Sequence, residues 1–232
     1  MKNLESLNLD YNEISDISAL SNLSNLQAVS LEYNQLQDVS ALAQKAHLTS
    51  LFLSNNPNLD INSLKTSALA ELTVNESNIQ NLNFLKNNPA LTSITMSGNR
   101  LTSLAGIEAA KNLTSFTAAQ NQIQSLNISG TQSSLKELSL SGNALKNLEG
   151  VNQFKAFENL DVSKNKITSM AISTPNNTIT YIDLSHNFIP KSELELNENR
   201  IPKALAQHFP AVKGGSIEND PLSEEKKEEK EA

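Results

Sequence analysis

The chain has 232 residues, a formal net charge of −7, a pI near 5.0 and no cysteine. The acidic balance and the lack of any basic stripe argue against a nucleic-acid partner, because nothing is there to neutralise phosphates. The absence of cysteine excludes disulfides and thiolate metal sites. No apolar run is long enough to span a bilayer, and no basic, then apolar N-terminal stretch marks an export signal.

From the first residues onward one pattern dominates. The sequence Leu4-x-x-Leu7-x-Leu9-x-x-Asn12-x-Ile14 returns at Leu26, Leu48, Leu69, Leu91, Leu113, Leu135, Phe157 and Ile179. The interval is 22 residues, shortened once to 21. Nine units in one register predict an α/β solenoid of the leucine-rich-repeat kind. Within each unit the two central leucines alternate with polar neighbours, which predicts one short strand per repeat. Stacked, the strands form a parallel sheet on the concave side of an arc. Asn12, Asn34, Asn56, Asn99, Asn121, Asn143, Asn165 and Asn187 recur at a fixed offset after the strand, with Ser77 in that place in repeat four. An amide both donates and accepts, so this column is expected to satisfy backbone groups where the chain turns inward.

The convex half of the repeat comes in two styles. Repeats one, two, five and seven space their apolar residues by three, as in Ile14-x-x-Ile17-x-x-Leu20, which suits a 3₁₀ turn. Repeats three, six and eight alternate instead, at Leu59-x-Ile61, Leu126-x-Ile128 and Met170-x-Ile172, and are expected to have extended backs. Segments 91–134 and 135–178 match at 44 residues, with Gly98 against Gly142 and Gly106 against Gly150, which points to duplication of a two-repeat unit. The array is expected over 1–190, without a polar N-terminal cap, so the chain is expected to be a piece of a longer protein. An irregular cover is expected over 191–213. A linker and charged tail, ending SEEKKEEKEA, follow over 214–232.

Repeat one, LESLNLDYNEISDISALSNLSNL, and repeat two, LQAVSLEYNQLQDVSALAQKAHL, resemble the 22-residue repeats of the bacterial internalin family. The likeness includes Asp16-Ile17 and Asp38-Val39 and the following Leu20 and Leu42, and it covers about residues 4–200. It implies a bacterial parent protein at the cell surface or secreted, binding a protein ligand such as a host receptor through the concave face. The same repeat length occurs in eukaryotic phosphatase-regulating proteins of the SDS22 type, which implies the alternative of an intracellular adaptor. A third reading is a spacer that projects another domain.

No catalytic constellation is legible. His47, His186 and His208 are far apart in the array, and the serines have no histidine partner at a common level. Asp161 and Asp183 fall on adjacent strands, but a general acid–base pair needs a cleft, which an open sheet is not expected to offer. No metal or cofactor site is expected, and a monomer is. Exposure on the concave face falls at the third, fifth, seventh and eighth positions of each repeat. There Tyr11, Tyr33 and Phe52, expected exposed on three consecutive strands and flanked by Asp10, Glu32 and Glu71, form a candidate patch for a basic partner. The alternative is that the two tyrosines only pack on each other. A second candidate cluster comprises Tyr181, Asp183, His186 and Asp161, with Asn159 and Lys164 beside them. Between the two, Ser93, Thr95, Ser97, Ser115, Thr117 and Ala119 are small and uncharged.

Overall fold

The computed structural model describes residues 3–197 and 200. Nine three-residue strands form a single parallel sheet in chain order. They are β1 (Ser6–Asn8), β2 (Ala28–Ser30), β3 (Ser50–Phe52), β4 (Glu71–Thr73), β5 (Ser93–Thr95), β6 (Ser115–Thr117), β7 (Glu137–Ser139), β8 (Asn159–Asp161) and β9 (Tyr181–Asp183). Each pairs with the next at equivalent repeat positions, Leu7 opposite Val29, Leu51 opposite Leu72 and Leu160 opposite Ile182. The chain is therefore a leucine-rich-repeat solenoid, and its one-residue deletion in repeat three is absorbed outside the strands.

The alternation sets which side of the sheet is core. From β2 onward the central strand residue is buried in every repeat, and the first and sixth positions pack beneath it. Burying one such aliphatic side chain is worth about 1.5–3 kcal/mol. A repeat has only a few of them, so it depends on its neighbours for the rest. Leu4, Leu7, Leu9 and Ile14 pack against the edge of this core and are only half-buried.

The asparagine column joins consecutive repeats by a fixed set of bonds. Asn34 Oδ1 accepts Ile14 N at 2.9 Å, and Asn34 Nδ2 donates to the carbonyls of Leu9, Leu31 and Glu32. The same reach, 20 residues back to an N–H and 25 back to a carbonyl, recurs at Asn56, Asn121, Asn143, Asn165 and Asn187. Asn99 accepts from both Ser77 N and Ile79 N, while the Ser77 hydroxyl donates to Asn75 O at 2.8 Å in place of the missing amide. Asn12 is exposed and bonds only to Leu9 O and Asp10 O of its own turn. No buried side-chain nitrogen or oxygen among the described residues lacks a partner.

Just before each asparagine the backbone turns left-handed. The eighth position has positive φ in all nine repeats, at Tyr11, Tyr33, Asn55, Glu76, Gly98, Gln120, Gly142, Lys164 and His186. Only two of these are glycine. The others carry strain of about 1–2 kcal/mol each, which the surrounding ladder has to hold in place.

On the back of the sheet, 3₁₀ turns occur in repeats one, two, five and seven, at Ser18–Asn22, Ser40–Leu42, Ile107–Ala109 and Val151–Gln153. Asp16 and Asp38 hold the first two by accepting the N–H and hydroxyl of Ser18 and Ser40. Those bonds from Ser40 hold the Asp38 carboxyl below the ordinary range for an aspartate. Repeat three departs from the expected extended back, with a 3₁₀ turn at Ile61–Ser63. Asp60 accepts Asn62 N there, and Ile61 and Leu64, three apart, are both buried. Repeat six has no 3₁₀ turn. Its Ile128 finds no turn partner and is bracketed by Gln153 of the next repeat, through both amide atoms, at 3.0 and 2.7 Å.

After β9, residues Lys191–Asn197 form helix α1 where an irregular cover is expected. Pro190 suits a helix entry, and its carbonyl accepts Glu193 N. The Glu193 carboxylate turns back to accept Met170 N at 3.1 Å and the Ser169 hydroxyl at 3.2 Å, which fastens the helix to repeat eight. The remainder of the expected cover, with His208, and the linker and tail lie outside the described residues.

Candidate functional site

The strand positions place four columns of side chains on the sheet face. Among them are seven carboxylates, Asp10, Glu32, Glu71, Glu76, Glu137, Asp161 and Asp183, against the single lysine Lys164. The chain's three tyrosines, Tyr11, Tyr33 and Tyr181, are all on this face, 74, 45 and 40 % exposed. Together with Leu196 of α1 they are the large hydrophobic side chains left open to solvent among the described residues.

At the N-terminal end, Tyr11 and Tyr33 occupy left-handed positions in the turns that follow β1 and β2, three residues beyond the ends of those strands. Their rings stack with centroids 4.4 Å apart and planes inclined by 10°. The two sequence readings of the pair combine: the rings pack on each other, and the packed pair is still solvent-facing. The neighbouring Tyr33, above all, raises the Tyr11 phenol from its ordinary value, and Glu32 and Asp10 add to this. Phe52 is half-buried at the end of β3 and makes no ring stack with the tyrosines.

The acidic neighbours differ in what they do. Asp10 is engaged in the framework: its carboxylate accepts Glu32 N at 2.8 Å, the Ser30 hydroxyl at 2.7 Å and Asn8 Nδ2 at 2.9 Å. Glu71 is exposed and meets the Ser50 hydroxyl at 3.4 Å. Glu32 lies beside Tyr33, half-buried. The patch is thus a stacked aromatic pair with acidic margins, with Phe52 at its edge.

At the other end, Asp161 and Asp183 are directly opposed in register on β8 and β9. Asp161 accepts the Ser139 hydroxyl at 2.9 Å and both Ser163 N and the Ser163 hydroxyl, at 3.0 and 2.7 Å. Asp183 accepts Ser185 N at 2.9 Å. His186 and Lys164 are exposed in successive left-handed turns, on the rim.

The sheet is less featureless here than its sequence implies. A depression of about 180 Å³ crosses β6 to β9, lined by Ser115, Thr117, Glu137, Ser139, Asn159, Asp161 and Tyr181. Glu137 is the wall residue that sequence reasoning passed over. The signal was present, because Glu137, Asn159 and Tyr181 all stand at the third position of three successive repeats. Among the described residues no group of three His, Asp or Glu side chains converges as a metal site, and His47 is exposed at the end of repeat two, far from His186.

Residues 2–44 match a family described as leucine-rich repeats in two copies. Residues 69–165 match the leucine-rich-repeat domain of the endo-beta-N-acetylglucosaminidase EndoS. No curated protein matches the chain in sequence. Among solved structures, the internalin InlF of Listeria monocytogenes superposes with a TM-score of 0.65 at 20% identity, over 85% of this chain and 65% of its own. Internalin C2 of the same organism gives 0.62 at 20% identity, over 79% of this chain and 78% of its own. The LRIM1/APL1C complex gives 0.54 at 20% identity, over 87% of this chain and 47% of the other. The chain thus spans just under two thirds of InlF and about half of the chain matched in the LRIM1/APL1C complex. The chain has the leucine-rich-repeat fold, and it shares that fold with the internalins.

Proposed function

We propose that the chain is a non-catalytic binding scaffold whose sheet face docks a protein partner presenting a basic surface. The exposed Tyr11–Tyr33 stack carries this reading. Two aromatic rings held rigid by each other and by a strained turn offer a large contact area with little entropy left to lose, as anchors at protein interfaces do. The carboxylate excess on the same face supplies the charge complementarity. The internalin-type fold favours a parent protein at a bacterial surface, acting as an adhesin or host-interaction module on a receptor. The LRIM1/APL1C complex is a case in which a similar fold assembles with another protein.

The test is binding of the full chain to intact animal cells and to a panel of extracellular proteins, beside the variant carrying Tyr11→Ala, Tyr33→Ala and Phe52→Ala. Saturable binding, weakened at least tenfold in the variant with its thermal unfolding little changed, is the expected result. Saturable binding that survives the triple substitution places the contact elsewhere on the face. A second reading is favoured by the match of residues 69–165 to a repeat domain found in an endoglycosidase. On that reading the solenoid positions a neighbouring domain, and neither wild type nor variant binds any cell-surface protein.

A further inference from the structure

We propose that the depression crossing β6 to β9 is a guanidinium site that takes one arginine side chain of the protein partner. The inference rests on the binding-scaffold reading and names the chemistry of a contact separate from the tyrosine stack.

The third position supplies the geometry. Glu137, Asn159 and Tyr181 are in register on three adjacent parallel strands. Strand spacing of about 4.7–4.9 Å places the Glu137 and Tyr181 backbones roughly 9–10 Å apart, with the shorter Asn159 between them as floor. That gap fits a flat cation lying between a carboxylate on one side and a ring face on the other. A volume of about 180 Å³ has room for one long side chain and not for a folded element.

Charge selects the occupant. Glu137 is exposed and makes no side-chain hydrogen bond or ion pair among the described residues. The adjacent Lys136 does not neutralise it, because its ammonium is 2.9 Å from Glu158. Asp161 is fixed by Ser139 and Ser163 at the next level of the depression, and Asp183 stands beside it. Neutral hydroxyl donors orient a carboxylate without cancelling its charge. Lys164, the one cation of this face, is outside the depression's lining. A guanidinium uses everything present: a bidentate pair with Glu137, stacking on Tyr181 and long-range attraction to the two aspartates. An ammonium forfeits the planar stacking, and a neutral sugar donates hydrogen bonds to the carboxylates but gains none of their charge attraction.

The measurement is an amide-resolved NMR titration of the full chain with the capped tripeptide Ac-Gly-Arg-Gly-NH₂. Its comparators carry lysine, or citrulline, the uncharged isostere of arginine, in the middle position, and N-acetylglucosamine is titrated separately. The arginine peptide is expected to shift the amides of Glu137, Asn159, Asp161 and Tyr181 saturably. Lysine should bind several-fold more weakly and citrulline at least tenfold more weakly. Glu137→Gln and Tyr181→Leu, both at exposed positions, should each weaken arginine at least fivefold with unchanged circular dichroism, and Tyr33→Ala should not weaken it. Equal response to citrulline, indifference to Glu137→Gln, or a response to the sugar without one to arginine overturns the proposal. If arginine binds here and no cell-surface protein is captured, the scaffold reading fails and this site stands. If a receptor is bound and arginine is not, only this site falls.

Discussion

A single asparagine shows how much one side chain carries in this fold. Asn99 bonds five backbone groups, donating to Val74 O, Met96 O and Ser97 O and accepting from Ser77 N and Ile79 N. Asn12 occupies the same repeat position and bonds two, in the open. Asn99→Ala is expected to cost about 1–3 kcal/mol by orphaning buried groups, and Asn12→Ala less than about 0.5 kcal/mol, because water takes over. Chemical denaturation of the two variants side by side measures the difference. The asparagine column was readable in the sequence because its chemistry demands one residue type at one offset. The left-handed column beside it was not, because Tyr11, Tyr33, Glu76, Gln120 and Lys164 are residue types that turn preferences do not place at positive φ. Tyr11 and Tyr33 are accordingly expected on strands but lie in the turns beyond them.

At the scale of one repeat, the backs are set by which group closes the turn. Gly150 precedes the 3₁₀ turn Val151–Gln153 at φ 92°, and a Cβ there would come within 2.7 Å of Asn127 N. Gly106, its counterpart 44 residues earlier, has ordinary contacts of 3.4 Å or more. Gly150→Ala is therefore expected to destabilise by about 2–4 kcal/mol, from the left-handed backbone and the clash together. Gly106→Ala should cost about 1–2 kcal/mol, from the backbone alone. Thermal unfolding of both variants distinguishes them. Spacing by three revealed the 3₁₀ turns of repeats one, two, five and seven. Repeat three misled because Leu59-x-Ile61 alternates while Asp60, the residue between, is a good turn-closing acceptor. Alternation and a capping aspartate compete there, and the cap prevails. Helix α1 was hidden for a similar reason, since its apolar side is narrow and its anchor, Glu193, reads as a surface residue.

At the scale of the molecule, the sheet face concentrates negative charge that the rest of the chain does not share. A basic partner is drawn toward it before contact, so its association rate should fall tenfold or more between low salt and about 1 M, as the Debye length shrinks to about 3 Å. Its dissociation rate should move much less. Stopped-flow or surface-plasmon kinetics across a salt series checks this, and a flat association rate removes the electrostatic part of the reading. Of the face, the columns and their residues were legible, because period and register together assign every exposed position. The depression was not, because a hollow depends on which side chains are short next to which are long, across strands 22 residues apart. The asparagine ladder also has a direction. Every bond its amides make between repeats reaches backward, to the turn 20 to 25 residues earlier. As the chain leaves the ribosome, each turn is therefore locked only when the following repeat has emerged. Folding trails synthesis by one unit, and the newest repeat is always the loosest.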